Sequence, residues 1–363
     1  MEKSGLPMNT IKKVAGTPFA ALNYEISGVC NAKCPYCDSG CAPVYAGSPY
    51  LKAADFERGI DRLLSLGLID TSTCVELFIS GEPTLNPDLG KIAGALAERK
   101  IHYSISTNGS RAIELPPEHV KFLKVLTFSM SGFSQVSYDR IHGLRFEKVL
   151  SNIVKTLDNL FGKESWLYRR FMHSVNCSFH VYQFNVQEME EAARFCEGNG
   201  IAFQPCEAFF NGVPDTIAYL RKELSPARLH QASRDLLVYY LDNLLKEQPS
   251  DYQCPQWNML SVDEKSNIVV CCGGFPRNYP GTVVGSMFDL TADEIIEKKR
   301  RMPVCGPCMG SGAAYWQHHR HTPAFIGRFP KPNKDIVYRI GKLLPDKLRL
   351  AAKKYLRRKM RRS

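Results

Sequence analysis

GVCNAKCPYCDSG, residues 28–40, carries Cys30, Cys34 and Cys37 in the spacing C-x3-C-x2-C, with Cys41 just beyond. Before it, ALNYEIS (residues 21–27) alternates with period two, as a half-buried strand does. After it, AADFERGIDRLLSLG (residues 53–67) sets Phe56, Ile60, Leu63 and Leu64 on one helical face and stops at Gly67. A strand that runs into a thiol-bearing loop and is followed by a helix is the first half of a βα unit. The three thiols are one ligand short of a closed four-ligand metal site.

The same alternation continues. CVELFIS, IHYSIST, VLTFSMS, MHSVNCSFHVY and IAFQPCE read as strands, and PDLGKIAGALAERK, FEKVLSNIVKTLDNLFG and VQEMEEAARFCEGNG as helices between them. Six β units with helical or mixed connections imply parallel pairing and right-handed crossovers. The expected fold is α/β, a partial (β/α)6 TIM-like barrel over residues 21–207, preceded by an extension of 20 residues. In such sheets chemistry gathers at the C-terminal strand ends. Those ends are GVCNAKCPYC, SGEPTL (residues 80–85), STNGS (residues 106–110) and SMSG (residues 129–132), all furnishing one mouth.

Composition narrows the setting. No apolar run approaches the roughly 18–20 residues of a membrane span, and the first residues lack the apolar centre of a secretory signal. The expected location is therefore the cytoplasm, where 13 cysteines argue for metal before disulfides. The net charge of +11 has one source: residues 331–363 hold 13 Lys/Arg against Asp335 and Asp346, which leaves 34 basic and 34 acidic residues in 1–330. The body is neutral, so the high pI does not argue for a nucleic-acid groove.

In CNAKCPYC, GEPTL, TNG and the serine-rich fourth strand end, in that order, the sequence resembles the radical S-adenosylmethionine (SAM) superfamily. The resemblance implies that Cys30, Cys34 and Cys37 hold three irons of a [4Fe-4S] cluster and leave the fourth open to the amino and carboxylate groups of SAM. A reductant such as flavodoxin or ferredoxin would supply the electron that splits SAM into a 5′-deoxyadenosyl radical. It further implies that the turn of Ser80, Gly81 and Glu82 receives the methionyl amino group, with Ser80 where the family has glycine. Ser106, Asn108 and Ser129 would bond the ribose and carboxylate, and Tyr36 would lie beside the adenine. Taken alone, TNGS is also an ordinary turn, since Asn-Gly suits positive φ. A zinc site is the competing use of the cysteine loop, with Cys41 as fourth ligand.

Beyond residue 207 the alternation stops. Residues 208–250 read as a loop and one long bridging helix, 226–246. Cys254 then precedes a strand pair turning at residues 263–267 and ending at Cys271 and Cys272, and VGSMFDLTADEI leads to Cys305 and Cys308. This set, expected over residues 251–330, resembles the SPASM and twitch auxiliary-cluster domains of the same family. It implies one auxiliary [4Fe-4S] cluster on Cys254, Cys305, Cys308 and either Cys271 or Cys272. Consecutive strand residues face opposite sides, so both are not ligands together; Cys271 is preferred. A structural zinc ribbon shares the pattern.

The expected function is hydrogen-atom abstraction from a substrate carbon, ending in net oxidation through the auxiliary cluster. One alternative is a redox-neutral epimerase or isomerase with Cys206, at the sixth strand end, as hydrogen donor. Another is a non-catalytic metal-binding adaptor. Free cysteines are commonly small core residues, so Cys206 too is expected in the core, together with Cys74, Cys177, Cys196 and His180. The substrate class stays open among small molecules, sugars, lipid-linked precursors and peptides. Residues 331–363 place Ile336, Val337, Ile340, Leu343 and Leu344, and then Leu348, Ala352, Tyr355 and Leu356, on apolar faces ringed by Lys and Arg. Such helices suit an anionic membrane surface, and a polyanion handle shares the pattern.

Overall fold

The computed structural model describes residues 19, 21–37, 49–162, 174–210, 212–236, 246, 248–276 and 279–319. The bulk of the N-terminal extension, Cys41 and the basic residues 331–363 lie outside them.

Six strands, β1 (Ala21–Tyr24), β2 (Cys74–Glu76), β3 (His102–Thr107), β4 (Leu123–Met130), β5 (Ser174–Val181) and β6 (Ala202–Glu207), pair in parallel in chain order. Between them run α1 (Ala53–Ser65), α2 (Leu89–Glu98), the short α3 (Pro117–Val120), α4 (Gln135–Ile141), α5 (Phe146–Phe161) and α6 (Met189–Gly198). This is the α/β partial barrel the periodicity predicts. On the outer face, Leu22, Tyr24, Val75, Tyr103, Ile105, Leu126, Phe128, Cys177 and Phe179 are buried in one core with Phe56, Ile60, Leu63, Ile92, Leu96, Val149, Ile153 and Cys196 of the helices. Cys177 and Cys196 are thus core residues, as expected.

The inner face has the opposite character. Ser106, Thr127, Ser129, Asn176, Ser178, His180, Gln204 and Cys206 lie at alternate strand positions and stay partly exposed. Cys74, expected in the core like Cys206, lies on this face too, with Sγ 3.4 Å from Ser104 Oγ. Period two assigns a strand residue to a face, but which face the helices cover is decided by the crossovers.

Past β6 come α7 (Val213–Leu220) and α8 (Pro226–Asp235). The single helix expected over 226–246 is not formed: Leu236 is extended, at φ −98° and ψ 148°. Gln183 accounts for the stop, since its backbone N–H donates to Asp235 O and its side-chain amide to Ser233 O and Leu236 O. These bonds use carbonyls at the helix end that a further turn would claim.

The C-terminal strands are β7 (Met259–Val262), β8 (Asn267–Val269) and β9 (Val283–Ser286), followed by α9 (Ala292–Arg300), α10 (Cys305–Gly310) and α11 (Ala313–His319). The expected hairpin is present as the antiparallel pair of β7 and β8, and β9 adds a third strand. The hairpin is also part of the main sheet. β7 pairs in parallel with β1, Ala21 opposite Met259 through Tyr24 opposite Val262, in one nine-stranded sheet ordered β6-β5-β4-β3-β2-β1-β7-β8-β9. Leu260, Val262, Ile268, Met287, Leu290 and Ile295 share the barrel's core.

Candidate active site and second thiol site

The strand-end motifs are tied to one another by buried hydrogen bonds. Glu25, one residue past β1, accepts the backbone N–H of Ser80 at 2.6 Å and of Gly81 at 2.9 Å on Oε2. Glu82 N donates to Val29 O at 2.8 Å, so the turn is fixed to the cysteine loop as well. A Cβ on Gly81 would fall 1.7 Å from Ser27 O, a close approach only glycine allows.

The Glu82 carboxylate is used within the protein. Oε1 accepts from Thr84 N, Thr84 Oγ1 and Thr107 Oγ1, and Oε2 from Asn108 N at 2.7 Å. Burial raises its pKa and these donors oppose the rise. Glu82 thereby fixes the third strand end to the second. Asn108 closes the ring: its Nδ2 donates to Asn31 Oδ1 at 3.0 Å and lies 3.6 Å from Cys30 Sγ. Gly109 takes the positive φ of 71° that the Asn-Gly pair predicts.

On the cysteine loop, burial pushes the Cys30 thiol up to about 11. Cys34 Sγ is 3.3 Å from Nδ1 of His142, a buried histidine just past α4 whose carbonyl accepts Lys33 N. Tyr36 is 4 % exposed. Its ring packs against Tyr182 and Phe210 with the Arg228 guanidinium over it, and its hydroxyl donates to Asp235. The ring is already spent on this packing. Ser106 and Ser129 lie on the inner face beside Thr127 and Ser178. Cys206 Sγ is 3.6 Å from Ser178 Oγ there. His180, expected to be a packed core residue, is instead half-exposed on this face, with Nδ1 3.0 Å from Ser131 Oγ.

The second set of thiols lines one cavity. Cys254, Cys271, Cys305 and Cys308 face it together with Trp257, Val270, Phe275, Val304, Met309 and Ala314. Cys272 is not among the lining residues; its thiol lies 3.3 Å from Oε1 of Gln256, which also lines the cavity. Burial raises the Cys271 thiol and pushes Cys254 and Cys308 up to about 12. Buried thiols that hold their protons this tightly give them up to a coordinated metal. Among the described residues, no three His, Cys, Asp or Glu side chains converge on a point that would suit one ion. Four thiols spread around a cavity, and three on one loop with an amide and an imidazole at their sulfurs, fit thiolate-bound iron–sulfur clusters.

The two thiol sets lie at opposite ends of the inner face. Cys30, Cys34 and Cys37 follow β1, at its C-terminal end. Because β7 runs parallel to β1 and β8 antiparallel, Cys254 before β7 and Cys271 after β8 lie at the end where β1 begins. Asn23 and Glu76 hydrogen-bond on the inner face between them. Glu25, His142 and Glu76 are the site residues that sequence reading misses. A lone acid at an apolar strand's end was the available signal for Glu25.

Residues 24–196 match the radical SAM superfamily. Among curated proteins no match is found. Among solved structures, Streptococcus suis SuiB bound to precursor peptide SuiA aligns over 80% of this chain and 66% of its own, at 17% identity and a TM-score of 0.51. Native anSMEcpe with bound AdoMet aligns over 85% and 98%, at 16% identity and a TM-score of 0.48. The likeness to SuiB bears on the fold alone.

Proposed function

Because residues 24–196 match the radical SAM superfamily, we propose that this chain is a radical SAM oxidoreductase that removes a hydrogen atom from a polar substrate on the inner face and passes on a second electron through an auxiliary [4Fe-4S] cluster. The observation that carries this reading is the position of the two thiol sets, one at each end of a face lined by hydroxyl, amide, imidazole and thiol groups. Cys30, Cys34 and Cys37 would hold the first cluster and Cys254, Cys271, Cys305 and Cys308 the second. When bound, the clusters supply the electron that cleaves SAM and a route for the electron left on the substrate.

The chain's own residues set the conditions. Gly81 lets the turn approach the cysteine loop, while Glu25 and Glu82 hold three strand ends in register. Asn108 and Ser106 would bond SAM, with Ser129 and the backbone of Ser80. Ser178, His180 and Gln204 would orient the substrate. The polar lining supports a substrate rich in hydroxyl or amide groups, a peptide included.

Anaerobic reconstitution tests this: about eight irons per chain and reductant-dependent 5′-deoxyadenosine are expected. Replacing Cys305 and Cys308 by Ala should halve the iron and leave SAM cleavage intact. Four irons in the wild type would remove the auxiliary cluster from the reading.

A redox-neutral outcome has its own support in Cys206, whose thiol lies on the inner face beside Ser178. If it returns a hydrogen atom, turnover in D2O places deuterium in the product, and Cys206→Ala abolishes that incorporation. Residues 331–363 we assign to an anionic membrane surface. Deleting them should abolish co-sedimentation with anionic vesicles without changing iron content, and replacing Leu344, Leu348, Tyr355 and Leu356 by Ser should do the same with every charge kept. Binding that survives those four changes would instead identify a purely electrostatic handle.

A further inference from the structure

Helix α9 opens with a capping box, Thr291 Oγ1 accepting Glu294 N and the Glu294 carboxylate accepting Thr291 N. Its buried stripe is Ile295 and, one turn on, Lys299, while Glu297, Lys298 and Arg300 are exposed. The position four residues after a core isoleucine ordinarily takes an apolar side chain. Here it takes a lysine with 0 % exposure.

Burying an ammonium is unfavourable unless an anion faces it. Among the described residues no carboxylate lies within ion-pair distance of Lys299; its Nζ donates to the carbonyl of Val270. Val270 precedes Cys271 and lines the four-cysteine cavity. Burial pulls the Lys299 pKa below the ordinary lysine value, and the groups that oppose it, favouring the charged form, are the thiols of Cys271, Cys272, Cys305 and Cys254. As protonated thiols they carry no charge to balance the lysine. Four thiolates around an iron–sulfur core are a net anion and would.

We propose that Lys299 is the built-in counter-charge of the auxiliary cluster, stabilising its thiolate-ligated form and holding its reduction potential up. This rests on the auxiliary-cluster reading above. A fixed cation beside an anionic cluster favours the more negative, reduced state, and net charge is one of the levers that set such potentials. The bond to Val270 O fixes where the charge stands. Lys299 is therefore a positioning residue for electron flow and touches no substrate.

The test uses the full chain with Cys30, Cys34 and Cys37 replaced by Ala, so that one cluster is read alone. In that background Lys299→Gln keeps a donor for Val270 O and removes the charge, whereas Lys299→Arg keeps the charge. Iron content and a redox titration followed by electron paramagnetic resonance are measured for each. The expected result is a potential shifted downward in Lys299→Gln, or loss of the cluster from that variant, with Lys299→Arg near the parent. An unchanged potential in a fully loaded Lys299→Gln chain overturns the proposal. So does equal cluster loss in both variants, because the residue then serves packing alone. A parent chain with no iron overturns the auxiliary-cluster reading itself, and the counter-charge with it.

Discussion

Gly81 and Glu76 show how much a single residue decides. With Ser27 O 1.7 Å from any Cβ, Gly81→Ala has to displace the cysteine loop. Overpacking of this kind costs about 1–3 kcal/mol, so denaturant unfolding should report a loss of that size and SAM binding by equilibrium dialysis should weaken. Wild-type values would mean the turn does not press on the loop. Glu76 is a pH prediction. Burial raises its pKa above the ordinary 4.5, with the Asn23 amide opposing. A carboxyl raised in the fold contributes stability that is complete below the unfolded value and is lost as pH rises. Glu76→Gln, neutral and able to pair with the Asn23 amide, should gain on the wild type between pH 5 and 8; melting curves in which the gap closes with rising pH would refute this. The cysteines, Gly81 and Asn108 are legible in sequence because each stands in a short motif at a strand end. Glu25, His142 and Lys299 are not, since each acquires its role from a partner far along the chain.

Among the elements, the hairpin turn departs most from its ideal sequence. The position that wants glycine holds Ser266, at φ 65° and 6 % exposed, with Asp263 accepting N–H bonds from Lys265 and Asn267. Left-handed backbone costs an L-residue about 1–2 kcal/mol, and glycine loses about 0.5–1 kcal/mol of that gain to its looser unfolded chain. Ser266→Gly should raise stability by up to about 1 kcal/mol, read as a higher thermal midpoint. A fall would show that the 3.4 Å contact of Ser266 Oγ with the Tyr24 hydroxyl outweighs the strain. Periodicity makes the six barrel strands legible. It overextends α8, because Gln183, which ends that helix, is remote in sequence, and it passes over β9, where Gly285 interrupts the alternation of side chains.

For the whole molecule the decisive fact is the pairing of β1 with β7, for which no local signal exists. Six apolar residues of the C-terminal region sit in the barrel's core. At about 1.5–3 kcal/mol each their burial is worth on the order of 10 kcal/mol or more, comparable to the entire stability of an ordinary domain. A chain ending at residue 250 should therefore aggregate or unfold without a cooperative transition by calorimetry. A monomeric truncation with a sharp transition would contradict that.

The shared sheet also limits what can be exchanged between relatives. A chimera that took residues 251–319 from another protein would import an edge strand along with a set of thiols. It would fold only if the newcomer's strand met β1 in the register that sets Ala21 opposite Met259, and a slip of one residue would turn its apolar side toward the polar face. Recombination between such enzymes should then tolerate breakpoints in the loops beyond β6 only when β1 travels with the C-terminal segment.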